Sequence, residues 1–306
     1  MTVLESRINS QDETFRANRN GMLAAVAALR EVESKVIATE EKARAKFHKR
    51  KQMLPRERLH LLLDRGSPFL ELSTLCGYKM HDDRDGSLAG GNMIAGIGYV
   101  EGVRCLIVAS NSAIKGGTMT PWGVQKTLRL QEIALQQKLP VVSMIESGGA
   151  NLMYQAELFI PGGRTFANQA RLSAAGIPQV TVVHGSSTAG GAYMPGLSDY
   201  VVMIRKQAKV FLAGPPLLLA ATGEVAIDED LGGAEMHTQL AGTAEFLAEN
   251  DADGIRMARD IVRSLNWNAD KPAVPRLPVR APLYDIEEVC GVVSADYRKP
   301  FDPREV

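Results

Sequence analysis

Cysteine is scarce in this chain. Cys76, Cys105 and Cys290 are an odd, widely scattered set among 306 residues. Such a set builds neither a disulfide framework nor a zinc ribbon, and it fits a reducing cytosol. Net charge is missing too: Lys and Arg total 35, Asp and Glu total 35. No overall field therefore draws in nucleic acid or an anionic membrane. No apolar run approaches the roughly 20 residues that span a bilayer. The opening MTVLESRINSQDETFRANRN has early acids and no apolar core, unlike a secretory or transit leader. His48, His60, His81, His184 and His237 show no pair at metal-ligand spacing, so no metal is expected in this chain. The phosphate-loop pattern Gly-x-x-x-x-Gly-Lys-Ser/Thr is absent. AGGNMIAGIGYV is rich in glycine but runs into a strand-like segment instead of a helix, which rules out a dinucleotide fingerprint.

What is present changes character along the chain. Residues 13–52 mix charges with helix formers and read as solvated helix, including the basic cluster KFHKRK (Lys46 to Lys51). LPRERLHLLLDRG comes next as a Pro-started helix with a stop at Gly66. From about residue 90, strand-like runs appear at 104–110, 140–146, 178–185, 199–204 and 208–214. Helical patterns lie between them. One spans 124–138 with Leu128, Ile133 and Leu135 as its apolar stripe; another spans 163–176. The alternation predicts an α/β core with largely buried parallel strands. Four prolines between residues 272 and 282 mark a linker or strap, and Pro303-Arg304-Glu305 repeats the Pro55-Arg56-Glu57 that opens the earlier helix. The chain is expected to stop where a second copy of the architecture would begin.

Glycines punctuate three strand ends. KGGTMTP (115–121), ESGGANL (146–152) and GSSTAGGAYMPGLSDY (185–200) each come after a strand-like run. Glycine lets a backbone approach a ligand or a neighbouring element closely. N–H groups at a helix start, aided by its dipole, stabilise negative charge. Two such donors make an oxyanion hole, and a thioester carbonyl becoming an enolate is a suitable guest. The last loop offers no Cys, Lys or Glu, so the proton must be taken by another group, such as a cofactor. Gly185 and Ser187 nearly satisfy Gly-x-Ser-x-Gly, but Ala189 stands where the final glycine belongs. His184 reads as a satisfied core histidine; His237 receives no role.

RERLHLLLDRGSPFLEL, KGGTMTP, ESGGANL, GSSTAGGAYMPGLSDY, FLAGPPLLLAATGE and DLGGAEMH together resemble the carboxyltransferase (beta) subunits of biotin-dependent acyl-CoA carboxylases. Nearly the whole chain is covered, and the wording GSSTAGGAY is similar to the methylcrotonyl-CoA and geranyl-CoA branch. The resemblance implies a crotonase-like ββα superhelix with an N-terminal helical extension. It implies three segments: a helical extension at 1–60, an acyl-CoA carboxyltransferase N domain at 61–270, and a linker with the start of a C domain at 271–306. Biotin would be carried on a separate carrier domain or subunit. The partners would be an acyl-CoA, a biotin carboxylase and carrier (alpha) subunit, and further copies of the chain packed face to face, in the cytoplasm.

By the same carry-over, Gly190 and Gly191 would hold the acyl-CoA enolate while carboxybiotin, losing CO2, provides the base. Ser147, Gly148 and Gly149 would approach the CoA arm, and Lys115, Gly116 and Gly117 the wall beside it. Gly162, Ala192 and Tyr193 would line the acyl pocket. Two positions depart from the family's pattern. Leu219 stands where Lys is usual, and Gly162 stands where methylcrotonyl-type enzymes carry Phe in His-Phe-Gly-Arg. Loss of that benzyl group makes room for a longer acyl chain and points to geranyl-CoA; otherwise Gly162 closes a turn begun at Pro161. Two other functions stay open: a crotonase-type hydrolase using Ser187 or Ser147, and a non-catalytic assembly module.

Overall fold

The computed structural model describes residues 6–267, 278, 280–282 and 284–306. The proline-rich linker expected around 272–282 lies largely outside the described residues. The chain divides into two compact units, Lys35–Ala269 and the paired segments Met1–Ser34 and Asp270–Val306.

The helical stretch near the N-terminus is α1 (Glu13–Glu41) and α2 (Arg44–Lys49). The basic cluster is exposed except for Phe47, which is buried against the guanidinium of Arg58. The Pro-started helix is α3 (Pro55–Leu62). It ends before Gly66, whose φ of +74° serves the turn after the helix.

The larger unit is built on one mixed sheet. β1 (Leu70–Glu71), β2 (Met93–Val100) and β3 (Val103–Ser110) are antiparallel. β3 then pairs in parallel with β4 (Val141–Ser147), β4 with β5 (Gln179–Thr188), β5 with β6 (Tyr200–Ile204), and β6 with β8 (Phe246–Ala248). The strand expected at 208–214 shrinks to β7 (Lys209–Phe211), which pairs in parallel with the last residues of β5 and bridges to Gly233 through Lys209. α4 (Pro121–Gln137) crosses from β3 to β4, and α5 (Gln155–Ala174) from β4 to β5. Thr120 caps α4 by accepting the Gly123 N–H, with Pro121 at the first helical position. The later helices of this unit are α6 (Tyr193–Gly196), α7 (Pro215–Thr222), α8 (Asp228–Gly232) and α9 (Asp251–Ser264).

Alternation along each strand sorts its side chains onto two faces. Cys105, Ile107 and Ala109 join Val142, Met144, Val182 and Ile204 on the face covered by α3 and α9. Leu106 faces the other way, with Leu130, Ala134 and Leu172 of α4 and α5. The stripe expected on α4 is therefore displaced. Val124, Leu130 and Ala134 are buried, whereas Leu135 is exposed, because spacings of five and two do not keep one helix face. In the smaller unit, Phe15 packs on Gly291 and Glu305 accepts bonds from Ser6 Oγ and the Arg7 N–H; its C-terminal segment contains α10 (Val289–Val292).

Candidate active site

β3, β4 and β5 are parallel, so their C-terminal ends open on one edge of the sheet, and the three glycine loops meet there. Lys115 to Gly117 form a 3-10 turn with successive φ values of +45°, +63° and +67°. A Cβ on Gly117 would stand 2.3 Å from the Glu146 carbonyl oxygen, so only glycine lets this loop lie on the end of β4. The loops are then joined by their own backbones. Gly148 N–H donates to Gly116 O (3.2 Å), Met119 N–H to Gly149 O (2.9 Å) and Asn151 N–H to Met119 O (3.0 Å). Ser147 Oγ donates to Gly117 O (3.2 Å) and accepts the Gly149 N–H (3.1 Å).

Ser147 is in register with Ser187 on β5. Ser187 Oγ donates to Gly191 O at 2.9 Å and is fully buried. Beyond Thr188 the chain turns through Ala189–Ala192, a 3-10 turn, into α6. Ala189 holds φ +51° without being glycine, a conformation that costs roughly 1–2 kcal/mol. Gly191 is buried where a Cβ would press on Ser187 Oγ (3.1 Å) and Ser147 Cβ (3.4 Å). Gly190 is half-buried and near only Phe166, 3.8 Å from its missing Cβ. Lys115, Gly116, Gly117, Ser147, Gly148, Gly149, Gly190 and Gly191 thus come together.

The pocket residues divide. Ala192 and Tyr193 line an apolar groove of about 430 Å³ with Met203, Val210, Phe211 and Leu212. The Tyr193 ring stacks on Phe166 of α5 at 4.7 Å. Gly162 does not line this groove. It lies inside α5, one turn before Phe166, with nothing within 4 Å of its missing Cβ. The turn expected at Pro161 is also absent: α5 starts at Gln155 and runs through Pro161, Gly162 and Gly163. His237 stands in the groove wall with both ring nitrogens engaged. The Val210 carbonyl can only accept, so Nε2–H donates to it (2.7 Å), while Nδ1 meets Thr243 Oγ1 (2.6 Å).

Asp82 was not singled out in the sequence, yet it tethers the wall. Its carboxylate accepts from Lys115 Nζ (2.7 Å) and Tyr154 Oη (2.7 Å), and these bonds hold its carboxyl below the usual range. Lys126 is a second omission. It is buried, and its Nζ donates to the carbonyls of Ser73, Gly90 and Met93. Desolvation lowers its ammonium to about 8. Neither cysteine of this unit is poised as a nucleophile. Burial raises the Cys105 thiol to about 12 and also raises that of Cys76. Among the described residues, no three His, Cys, Asp or Glu side chains gather as a metal site, and no helix is long and apolar enough to cross a membrane.

The profile of the carboxyl transferase domain matches residues 46–306. The chain belongs to the carboxyl transferase domain family. Its fold superposes on the crystal structure of the P. aeruginosa geranyl-CoA carboxylase beta subunit with a TM-score of 0.89 and 63% identity, over 98% of this chain and 56% of that one. The crotonase-like α/β architecture expected from the sequence is the one observed. A probable biotin-dependent acyl-coenzyme A carboxylase beta2 subunit of Mycobacterium tuberculosis is 52% identical over 85% of this chain and 48% of its own length. A probable mitochondrial methylcrotonoyl-CoA carboxylase beta chain of Drosophila melanogaster is 42% identical over 99% of this chain and 56% of its own. The chain thus spans about half the length of the curated relatives it matches.

Proposed function

We propose that this carboxyl transferase chain binds an unsaturated, branched acyl-CoA and holds its enolate for carboxylation by a biotin-dependent carboxylase, with geranyl-CoA as the favoured substrate. One observation carries the reading. Two glycine loops are spliced at one sheet edge, a third turns beside them next to an apolar groove, and the hydroxyls of Ser147 and Ser187 are turned inward onto carbonyls. A site built this way presents backbone, and its side chains supply no base. That fits a reaction whose base arrives from outside the chain. Biotin, on its separate carrier, supplies the carboxyl group and the base.

This chain's residues bind and orient. Gly190 and Gly191 present backbone N–H groups to the thioester oxygen, where negative charge develops as a γ-proton, conjugated to the carbonyl through the α,β double bond, leaves as the dienolate forms. Ser187 fixes the turn through the Gly191 carbonyl. Gly148 and Gly149 bring bare backbone up to the CoA arm, and Lys115, held by Asp82, forms the wall with Gly116 and Gly117. Ala192 and Tyr193 exclude water from the acyl chain. The division at 1–60, 61–270 and 271–306 is retained, with the biotin-side donors on a separate domain. Leu212, Leu217, Leu219, Val225, Ile227 and Leu240 are all exposed, which supports a face-to-face homo-oligomer and a docked alpha subunit. The free thiols support a reducing compartment, taken as the cytosol.

The hydrolase reading is disfavoured because neither Ser147 nor Ser187 has a histidine partner. The test is a carboxylation assay on the enzyme assembled with its biotin-carrying subunit, beside calorimetric titration of this chain with CoA esters. Carboxylated geranyl-CoA and measurable CoA-ester binding are expected. Neither CoA-ester affinity nor turnover in the assembled enzyme would leave an assembly module that only docks partners. Labelling of Ser187 by a serine-directed fluorophosphonate would restore the hydrolase.

A further inference from the structure

The β4–β5 ladder slips just before the glycine loops. Ile145 faces Val183, but Ser147 faces Ser187, so His184, Gly185 and Ser186 together oppose Glu146. Such a bulge bends its strand and re-aims the residues beyond it. Beyond this one lies the turn of Gly190 and Gly191. The residues at the slip are bound into a buried polar network. Glu146 Oε2 accepts from Arg58 Nη1 (3.1 Å) and Ser112 Oγ (2.8 Å). Arg58 Nε donates to Asp251 Oδ2 (3.2 Å), and Asp251 Oδ1 meets His184 Nδ1 (2.8 Å). The Met53 N–H donates to Asp251 (2.6 Å), and Gln52 Nε2 donates to the His184 carbonyl (3.1 Å). Gly185 leaves room for this: a Cβ there would stand 2.7 Å from Glu146 Cγ.

Arg58, Asp251 and His184 are 1%, 2% and 0% exposed. None of them touches the groove or the glycine turn. Burial and the Arg58 charge lower the His184 pKa, so the ring stays neutral, with Nδ1–H donating to the Asp251 carboxylate. Buried ion pairs seldom stabilise a fold more than well-packed apolar side chains of the same volume. This network moreover leaves His184 Nε2, Arg58 Nη2 and Gln52 Oε1 without a protein partner. Stability alone is a poor account of it; its placement on both sides of the slip is a better one.

We propose that Arg58, Glu146, His184 and Asp251 are positioning residues that set the β5 bulge and so aim the Gly190–Gly191 turn. The inference rests on the enolate-holding reading above. α3 and α9 lend the guanidinium and the carboxylate, and the network fixes β5 three residues ahead of Ser187, whose hydroxyl in turn fixes Gly191.

The experiment compares His184→Leu, His184→Asn and Glu146→Gln in the complete carboxylase. Asn keeps a donor near Nδ1; Leu keeps bulk and loses it. His184→Leu is expected to lower kcat by about 10- to 100-fold, as displacement by an ångström does, with KM for the acyl-CoA within about 3-fold. His184→Asn should recover most of the rate. In ¹⁵N spectra the Gly190 and Gly191 amide resonances should move in His184→Leu and return in His184→Asn. If His184→Leu does not fold, Glu146→Gln carries the same two readouts. Unmoved Gly190 and Gly191 amides, or an Asn variant as slow as the Leu variant, would overturn the inference. An inactive wild-type enzyme would instead remove the carboxyltransferase reading, and the amide resonances would still decide the positioning role.

Discussion

Gly148–Gly149 and Gly190–Gly191 end neighbouring parallel strands and look alike in sequence, each pair coming after a serine on a strand. Their surroundings differ. The first pair is bound into the protein: Gly148 N–H on Gly116 O, Gly149 N–H on Ser147 Oγ, Gly149 O accepting from Met119. The second pair lies in a short 3-10 turn after a strained Ala189, beside the apolar groove. In a 3-10 turn the earliest N–H groups precede the turn's own i→i+3 pairing, and this favours Gly190 as a donor toward a guest. The same dipeptide thus splices loops in one place, and on the proposed reading presents backbone in the other. What separates the two is the setting: the first pair is bonded to the neighbouring loop, and the second lies in a helical turn beside the groove.

Gly191→Val tests the presenting pair and should have the largest effect. Its branched side chain must displace Ser187 Oγ and Ser147, which lie 3.1 and 3.4 Å from the missing Cβ. The turn would then move away from the oxygen it is proposed to hold. Turnover by the assembled enzyme should fall by about 10²–10³, as on removal of an oxyanion donor. Overpacking should add a stability loss of about 1–3 kcal/mol in urea unfolding. Near-normal turnover would show that this turn holds no developing charge.

Lys126 sharpens the comparison from the side of the wall, because it ties the 73–93 segment to α4. Below pH 8 it is protonated in both the folded and unfolded chain, and burying the charge is a standing cost. Between about 8 and its ordinary 10.5 the unfolded chain keeps a proton that the folded chain has released. Stability from this group therefore rises with pH through that window, by up to about 3 kcal/mol at 1.36 kcal/mol per unit. Lys126→Met removes the effect, so the gap in urea stability between wild type and variant should change steadily from pH 7 to pH 10, in favour of the wild type. A constant gap would contradict the burial.

Gly149→Ala tests the splicing pair and should cost less. Thr188 O is 3.5 Å from the added Cβ, so space is adequate, but φ is +86°. Left-handed backbone costs an L-residue roughly 1–2 kcal/mol. The loss should appear in the denaturation midpoint, with kcat of the folded enzyme within a few-fold of wild type. A loss of rate as large as that of Gly191→Val, without loss of stability, would erase the distinction between the pairs.

Much of this edge was legible in the sequence because glycines after apolar runs report strand ends directly. The β3, β4 and β5 runs were placed to within a few residues, and all eight glycine-loop residues converge. Partners distant in sequence were not legible. Asp82 reaches Lys115 from 33 positions away, and the Arg58–Asp251 pair spans 193. The bulge at His184–Ser186 has one local mark, Gly185 inside the strand, which reads equally as the start of the glycine loop. Pro161-Gly162-Gly163 misled for another reason. Its propensity opposes a helix, but Leu158, Thr165, Gln169 and Leu172 keep a buried face across it, and packing against α4 prevails.

That helix also recasts the smallest effect, the one on substrate choice. Gly162 has no strained φ and nothing within 4 Å of its missing Cβ. Gly162→Phe should therefore fold, with a stability gain of up to about 0.5 kcal/mol from replacing a helical glycine. Equal damage to every substrate through a strained backbone is no longer the expected alternative. The remaining question is where the new ring goes. Gly162 lies one turn before Phe166, which stacks on Tyr193 in the groove wall. A helical side chain leans toward the N-terminal turn, so the benzyl group would extend the Phe166–Tyr193 stack away from Gly190 and Gly191. On the proposed reading, with the acyl chain laid from the glycine turn along this stack, a short acyl chain would end before that point and a geranyl chain, five carbons longer, would continue toward it. At roughly 1–3 kcal/mol of discrimination per methylene, kcat/KM for geranyl-CoA should fall by about 10-fold or more while that for methylcrotonyl-CoA is spared. Unchanged selectivity between the two esters would place the distal acyl chain elsewhere and remove the geranyl assignment, leaving the glycine turn untouched.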